Sequence, residues 1–163
     1  MIRHETLSGD KRYRYLLERS VPEGSKRVTI IMNNPSIADG VRDDHTIRRL
    51  IGFGARWNWQ HLTVVNVFAY ITTDLKELCR VADPIGLLND RYLKQAIISS
   101  DLVIAAWGAT SKLPKAQREE WRTPVAIAKK HHVRLKVFQL TPAGEPAHPL
   151  YLPYDLTLQE WTP

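Results

Sequence analysis

Asn33, Asn34, Ser36 and Asp39 crowd into the polar stretch directly after the apolar run Val28-Thr29-Ile30-Ile31-Met32. Asn66 falls near the end of a second run, Leu62-Thr63-Val64-Val65-Asn66-Val67-Phe68, and Trp107 ends a third, Leu102 to Trp107. His148 lies in the proline-rich tail beyond a fourth, Leu135 to Leu140. Carboxamides orient water or read the edge of a polar ring, a carboxylate activates water, and a histidine serves as acid or cation. Such a set suits cleavage of a glycosidic bond, where the sugar becomes oxocarbenium-like and the departing group gains negative charge. A histidine bonded to that group would stabilise the charge as it develops. Each residue alone also has an ordinary explanation: Asn34-Pro35 is a turn, Asn66 a satisfied core amide, His148-Pro149 a rigid loop. Their common placement at strand ends is what favours chemistry.

The four runs are β-branched and apolar, bounded by turn residues, and separated by helical patterns. They predict parallel strands at 28–32, 62–68, 102–106 and 135–140. The expected architecture is a three-layer α/β/α sandwich with a mostly parallel four-stranded central sheet, one domain over residues 1–163. In such a sheet the loops after the strands emerge on one side, where ligands bind. Helices are expected from Thr46 to Arg56, from Gly86 to Ser100 and from Val125 to His132, the last opened by Thr123-Pro124. Thr72-Thr73-Asp74 should cap a short helix running through Cys79, and Lys112 to Arg122 a short helix or lid. Asp43, Asp44 and Thr46 supply caps ahead of the first helix. Near the N-terminus, Tyr13-Tyr15-Leu17 alternates with Arg12-Arg14-Leu16, the pattern of an edge strand guarded by arginines. The tail from Thr141 to Pro153 must be loop. Trp57 and Trp59 are expected to plug the core beneath their connection, stacking on bases being the alternative.

The chain has 163 residues, 44% hydrophobic and 25% charged, with a net charge of +6. That charge favours an anionic partner, nucleic acid foremost. Arg48, Arg49 and Arg56 on the first helix, with Lys112 and Lys115, are the candidate phosphate contacts. The alternative for the helix is an ordinary solvated face. The lone Cys79 excludes an internal disulfide and a multi-cysteine zinc site, and is consistent with a reducing, cytoplasmic location. No apolar run approaches the roughly 20 residues that span a bilayer, so no membrane partner is expected. GxGxxG, GxxxxGK[ST] and GxSxG are all absent, which argues against dinucleotide, nucleoside-triphosphate and α/β-hydrolase chemistry. No cofactor or metal is expected.

Longer blocks carry a resemblance. Ile31-Met32-Asn33-Asn34-Pro35-Ser36-Ile37-Ala38-Asp39 followed by Asp43-Asp44-His45-Thr46-Ile47-Arg48-Arg49 resembles the opening signature of domain-of-unknown-function family 1643. Val64 to Ala69, Asp83-Pro84-Ile85-Gly86 with Asn89-Asp90, Ala105-Ala106-Trp107-Gly108 and His148-Pro149-Leu150-Tyr151-Leu152 complete it. The order of blocks more distantly resembles the uracil-DNA glycosylase superfamily. There a first strand ends in a loop such as G-I-N-P-G, a second strand ends in Asn, and a late loop carries H-P-S-P. The resemblance implies that fold, with Asn34 at the water-orienting position, Asn66 reading a pyrimidine edge and His148 stabilising the departing base. Ser36 stands where that superfamily has glycine, and Leu150-Tyr151 where it has the Ser-Pro that grips DNA phosphates.

The expected function is therefore recognition of a flipped base in DNA and hydrolysis of its N-glycosidic bond. Asn34, Asp39 and His148 are the expected catalytic residues. Asn33, Pro35, Ser36, Asn66, Phe68, Trp107 and Tyr151 are the expected substrate contacts. Three alternatives remain: a non-catalytic DNA or modified-base binding module, an N-glycosidase of free nucleosides or nucleotides, and a phosphoesterase. The last would hold Mg²⁺ on Asp39, Asp43, Asp44 and His45.

Overall fold

A computed structural model describes residues 1–21 and 23–163. In chain order the regular elements are β1 (Arg3–Leu7), β2 (Arg14–Ser20), β3 (Lys26–Met32), α1 (His45–Arg56), β4 (Trp59–Asn66), α2 (Asn89–Ile98), β5 (Leu102–Ala105), α3 (Arg122–Lys130), β6 (Leu135–Val137) and β7 (Gln159–Trp161). The strands form one mixed sheet in the order β1-β2-β4-β3-β5-β6-β7. The four expected strands sit at its centre and run parallel, with Val28 opposite Leu62 on one side and Leu102 on the other. The sheet is nevertheless seven strands wide, because β1, β2 and β7 add antiparallel edges.

Side-chain alternation along the central strands divides the interior in two. Val28, Ile30 and Met32 of β3 point to the face covered by α1, through Ile47, Leu50 and Phe53. Ile31 points to the opposite face, where Leu93, Ala96 and Ile97 of α2 and Ala128 of α3 complete a second core. Helices thus cover both faces, as strands buried on two sides require. Trp59 is 1% exposed in the α1-side core, with Trp57 packed over Phe53 and Phe138, so both tryptophans fill the interior rather than meet a ligand.

Several boundaries differ from the sequence reading. Residues 14–20 form a strand but not an edge: β1 covers them, and Arg14 and Arg19 are turned inward at 4% and 1% exposure. Asp44 alone caps α1, its Oδ1 accepting from the Ile47 amide (2.8 Å), while Thr46 lies inside the helix. The helix expected at 86–100 is shorter at both ends, and α3 starts at Arg122. Pro124 still lies in its first turn, where no intrahelical donor is lost. The segment after Thr72 is a 3₁₀ turn, Leu75–Cys79, and two more, Thr110–Lys112 and Lys115–Gln117, replace the helix or lid expected after Lys112. β6 stops at Val137, and the tail expected to be loop includes the 3₁₀ turn Pro149–Tyr151. β7, unannounced by any apolar run, follows that tail.

Candidate active site

The loops leaving the carboxyl ends of β3, β5 and β6 enclose a cleft of about 410 Å³. Its wall includes Met32, Asn33, Asn34, Trp107, Lys112, His148 and Tyr151. A second cleft of about 450 Å³, lined by His45, Arg48, Arg49 and Tyr154, shares Leu150 and Tyr151 with the first. The turn Pro149–Tyr151 is therefore a ridge between an amide- and histidine-lined hollow and an arginine-lined one. Tyr151 stands on that ridge at 90% exposure.

His148 is fixed from two sides. Gly108, at φ +82°, carries the chain away from β5, and its amide donates to the Pro146 carbonyl (2.9 Å). A Cβ there would lie 3.3 Å from the His148 Cβ, so glycine serves both the left-handed turn and the close approach. His148 Nδ1 accepts from the Leu150 amide (3.3 Å), which leaves the proton of the neutral ring on Nε2. The ring is open to solvent at one side yet crowded by the cleft. That partial desolvation, reinforced by the Lys112 cation and opposed by Asp44, holds its pKa below the usual 6.5. Its neutral form, favoured by that shift, presents Nε2–H as a donor.

The asparagines divide their tasks differently from the sequence expectation. Asn34 Nδ2 donates to the carbonyls of Thr72 (2.7 Å) and Pro35 (3.2 Å), stapling the loop to the segment after β4. Asn33 lines the cleft, and its carboxamide has no hydrogen-bond partner among the described residues. Asn66 pairs in register with Met32, so its side chain lies on the α1 face at the sheet's carboxyl edge. It is 2% exposed, and among the described residues its only side-chain-mediated hydrogen bond is to its backbone carbonyl, from Asn89. Its backbone is held by buried Asn89, whose Nδ2 donates to the Asn66 and Val67 carbonyls (2.9 and 3.0 Å). Asn34 and His148 thus meet in one cleft, whereas Asn66 lies beside Met32 without being part of its wall.

Other candidates have structural employment. Asp39 Oδ1 accepts from the amides of Arg42 (2.6 Å) and Val41 (2.7 Å), which lower its pKa and make it a weak base. Asp43 binds Arg19 and Arg3, each at 2.7 Å, and Asp44 caps α1, so the acids read as a Mg²⁺ set are committed elsewhere. Among the described residues no group of three metal-binding side chains occurs. Phe68 is fully buried in the α2-side core and Pro35 is buried under the loop; Ser36 is half-buried outside the cleft wall. Trp107 presents an edge to the cleft but packs mainly against Trp121 and Trp161, at 6.0 and 5.4 Å between ring centroids.

Of the cations, Arg48 and Arg49 line the second cleft and Lys112 the first. Arg49 and Arg56 both stack on the Tyr154 ring at 4.0 Å, holding the tail against α1, and Lys115 stands apart on an exposed turn. Sequence reasoning missed Thr141 and Leu75, whose types carry no signal, and it missed Arg14, read as edge protection.

No curated protein and no solved structure matches the chain. A family described as "Protein of unknown function (DUF1643)" matches residues 14–150. That span begins at the inward-turned Arg14 and ends at Leu150, enclosing the lining residues of the cleft up to Leu150 and leaving Tyr151 just outside. The chain belongs to the DUF1643 family.

Proposed function

We propose that the protein recognises a nucleic-acid base in the His148 cleft and hydrolyses its N-glycosidic bond. One observation carries this: His148, its Nδ1 engaged by the Leu150 amide so that Nε2 is free to donate, lines an amide-lined cleft that shares Leu150 and Tyr151 with an arginine-lined one. Water would add to the anomeric carbon as the C–N bond breaks, the base departing with the bonding electrons and finally taking up the proton that the water releases. The His148 Nε2–H would then stabilise negative charge on a base oxygen. Asn33, with its free carboxamide, suits orientation of that water better than Asn34 or Asp39. Arg48 and Arg49 suit flanking phosphates. The distant resemblance to the uracil-DNA glycosylase superfamily supports the same assignment.

Oligonucleotides bearing uracil, hypoxanthine, mismatched thymine or modified pyrimidines, incubated with the protein and assayed for abasic sites, test it. Cleavage of at least one is expected, and His148→Ala should slow it by about 10²–10³ while changing affinity little, the scale of losing an oxyanion donor. Reversing Arg48 and Arg49 to Glu should weaken binding to all sequences alike and flatten its salt dependence. A second reading, base binding without cleavage, is favoured by Asp39, whose carboxylate is tied to two backbone amides. Tight binding with no abasic product would select it.

A further inference from the structure

Arg14 is 4% exposed, yet it has no carboxylate within 4.0 Å among the described residues. Its sole side-chain hydrogen bond among the described residues runs from Nη1 to the Ala38 carbonyl. Nε is buried without a partner, and Nη2 has none among the described residues. Arg19, five residues along the same strand, shows what a structural buried arginine looks like. Its Nε meets the Asp43 carboxylate at 2.7 Å, and its Nη atoms donate to the carbonyls of Glu18, Asp39 and Arg42. A guanidinium stays charged in a protein, so burial without a counter-ion is costly, and the unpaired edge of Arg14 suits an anionic partner.

The free Nε/Nη2 edge has a definite shape: two parallel N–H groups that match the two oxygens of a carboxylate or phosphate. Glu5, Asp44 and Asp39 favour the charged form from a distance, but burial outweighs them and lowers the Arg14 pKa; Arg19 adds to the lowering. Two of those acids are already bonded, Asp39 to the Val41 and Arg42 amides and Asp44 to the Ile47 amide. Arg14 lines neither cleft, and its link to the candidate site runs through Ala38. Its side chain reaches Ala38, which shares the α1-side core with Met32, the register partner of Asn66. The Asp44 carboxylate acts electrostatically on both Arg14 and His148.

We propose that Arg14 is an anion-binding residue, taking a carboxylate or phosphate of the ligand on its Nε/Nη2 edge. Admission of that group requires the loop bearing Ala38 to shift from the guanidinium. With the proposed function, the ligand is a base carrying an oxyanion substituent. The anion site stands on Arg14 alone, whereas the base rests on that function.

The test follows the arginine Nε–H signals of the ¹⁵N-labelled protein, that of Arg14 being assigned by its loss in Arg14→Lys. Inorganic phosphate, acetate, uracil and 5-carboxyuracil are titrated separately. Movement of the Arg14 signal with the oxyanion probes is expected, with 5-carboxyuracil binding at least tenfold tighter than uracil. Arg14→Gln, its fold checked by circular dichroism, should remove that preference. An Arg14 signal unmoved by phosphate, acetate and 5-carboxyuracil overturns the proposal, and the wild-type titration decides this even if the variant fails to fold. A signal that answers only to Glu5→Gln also overturns it, making Arg14 the structural partner of Glu5. Equal affinity for uracil and 5-carboxyuracil rejects the anion site and keeps the base reading. Response to phosphate and acetate without binding of either base keeps the anion site and rejects the base reading.

Discussion

Asp43→Ala should be among the most damaging single changes outside the hydrophobic cores. Arg19 is 1% exposed, and Asp43 is the only carboxylate it meets among the described residues, at 2.7 Å. Its remaining partners are carbonyls of the loop that lies over β2, those of Asp39 (2.5 Å) and Arg42 (3.3 Å), and the Glu18 carbonyl beside it. Removing the carboxylate strands a buried guanidinium, a change that costs about 3–5 kcal/mol. For a chain of this length each kcal/mol lowers the melting temperature by roughly 2–4 °C, so a fall of about 6–20 °C is expected by calorimetry. The Arg3 bond to Asp43 contributes little, because Arg3 is exposed. Arg19→Met combined with Asp43→Ala should be less damaging than the sum of the two single changes, since the double variant leaves no charge unpaired. An Asp43→Ala loss below about 1 kcal/mol, or strict additivity in the double variant, would refute the view that this pair anchors the loop.

Two other expectations concern His148. Its folded-state pKa lies below 6.5, so the folded protein binds fewer protons than the unfolded chain between those values. The resulting stability is present above about pH 6.5 and lost as pH falls through the folded value; urea titrations across pH 7 to 5 should show a steeper loss for the wild type than for His148→Asn. Gly108→Ala should cost roughly 1–2 kcal/mol for its left-handed backbone and push on the His148 Cβ, so a lowered melting temperature together with altered His148 ring signals by NMR is expected.

The central sheet was legible because parallel strands buried on both faces must be continuous apolar runs, and four such runs stand out. Placement of Asn33, Asn34, Trp107 and His148 around one cleft follows directly, since parallel strands deliver their ends to one edge. The short edges were not legible: β7 is three residues with no apolar alternation and takes its partner only once β6 is in place. Which polar groups remain free was beyond the sequence altogether. Asn33 and Asn34 are adjacent and chemically identical, but only the backbone path of the loop brings the Thr72 carbonyl to Asn34. Arg14 and Arg19 are likewise the same residue type on one strand, and Arg14 reads as edge protection until β1 pairs outside it. Sequence specifies which groups can donate or accept. Tertiary structure decides which of them find partners, because a hydrogen bond needs both atoms within about 3 Å and chain neighbours give no measure of that distance.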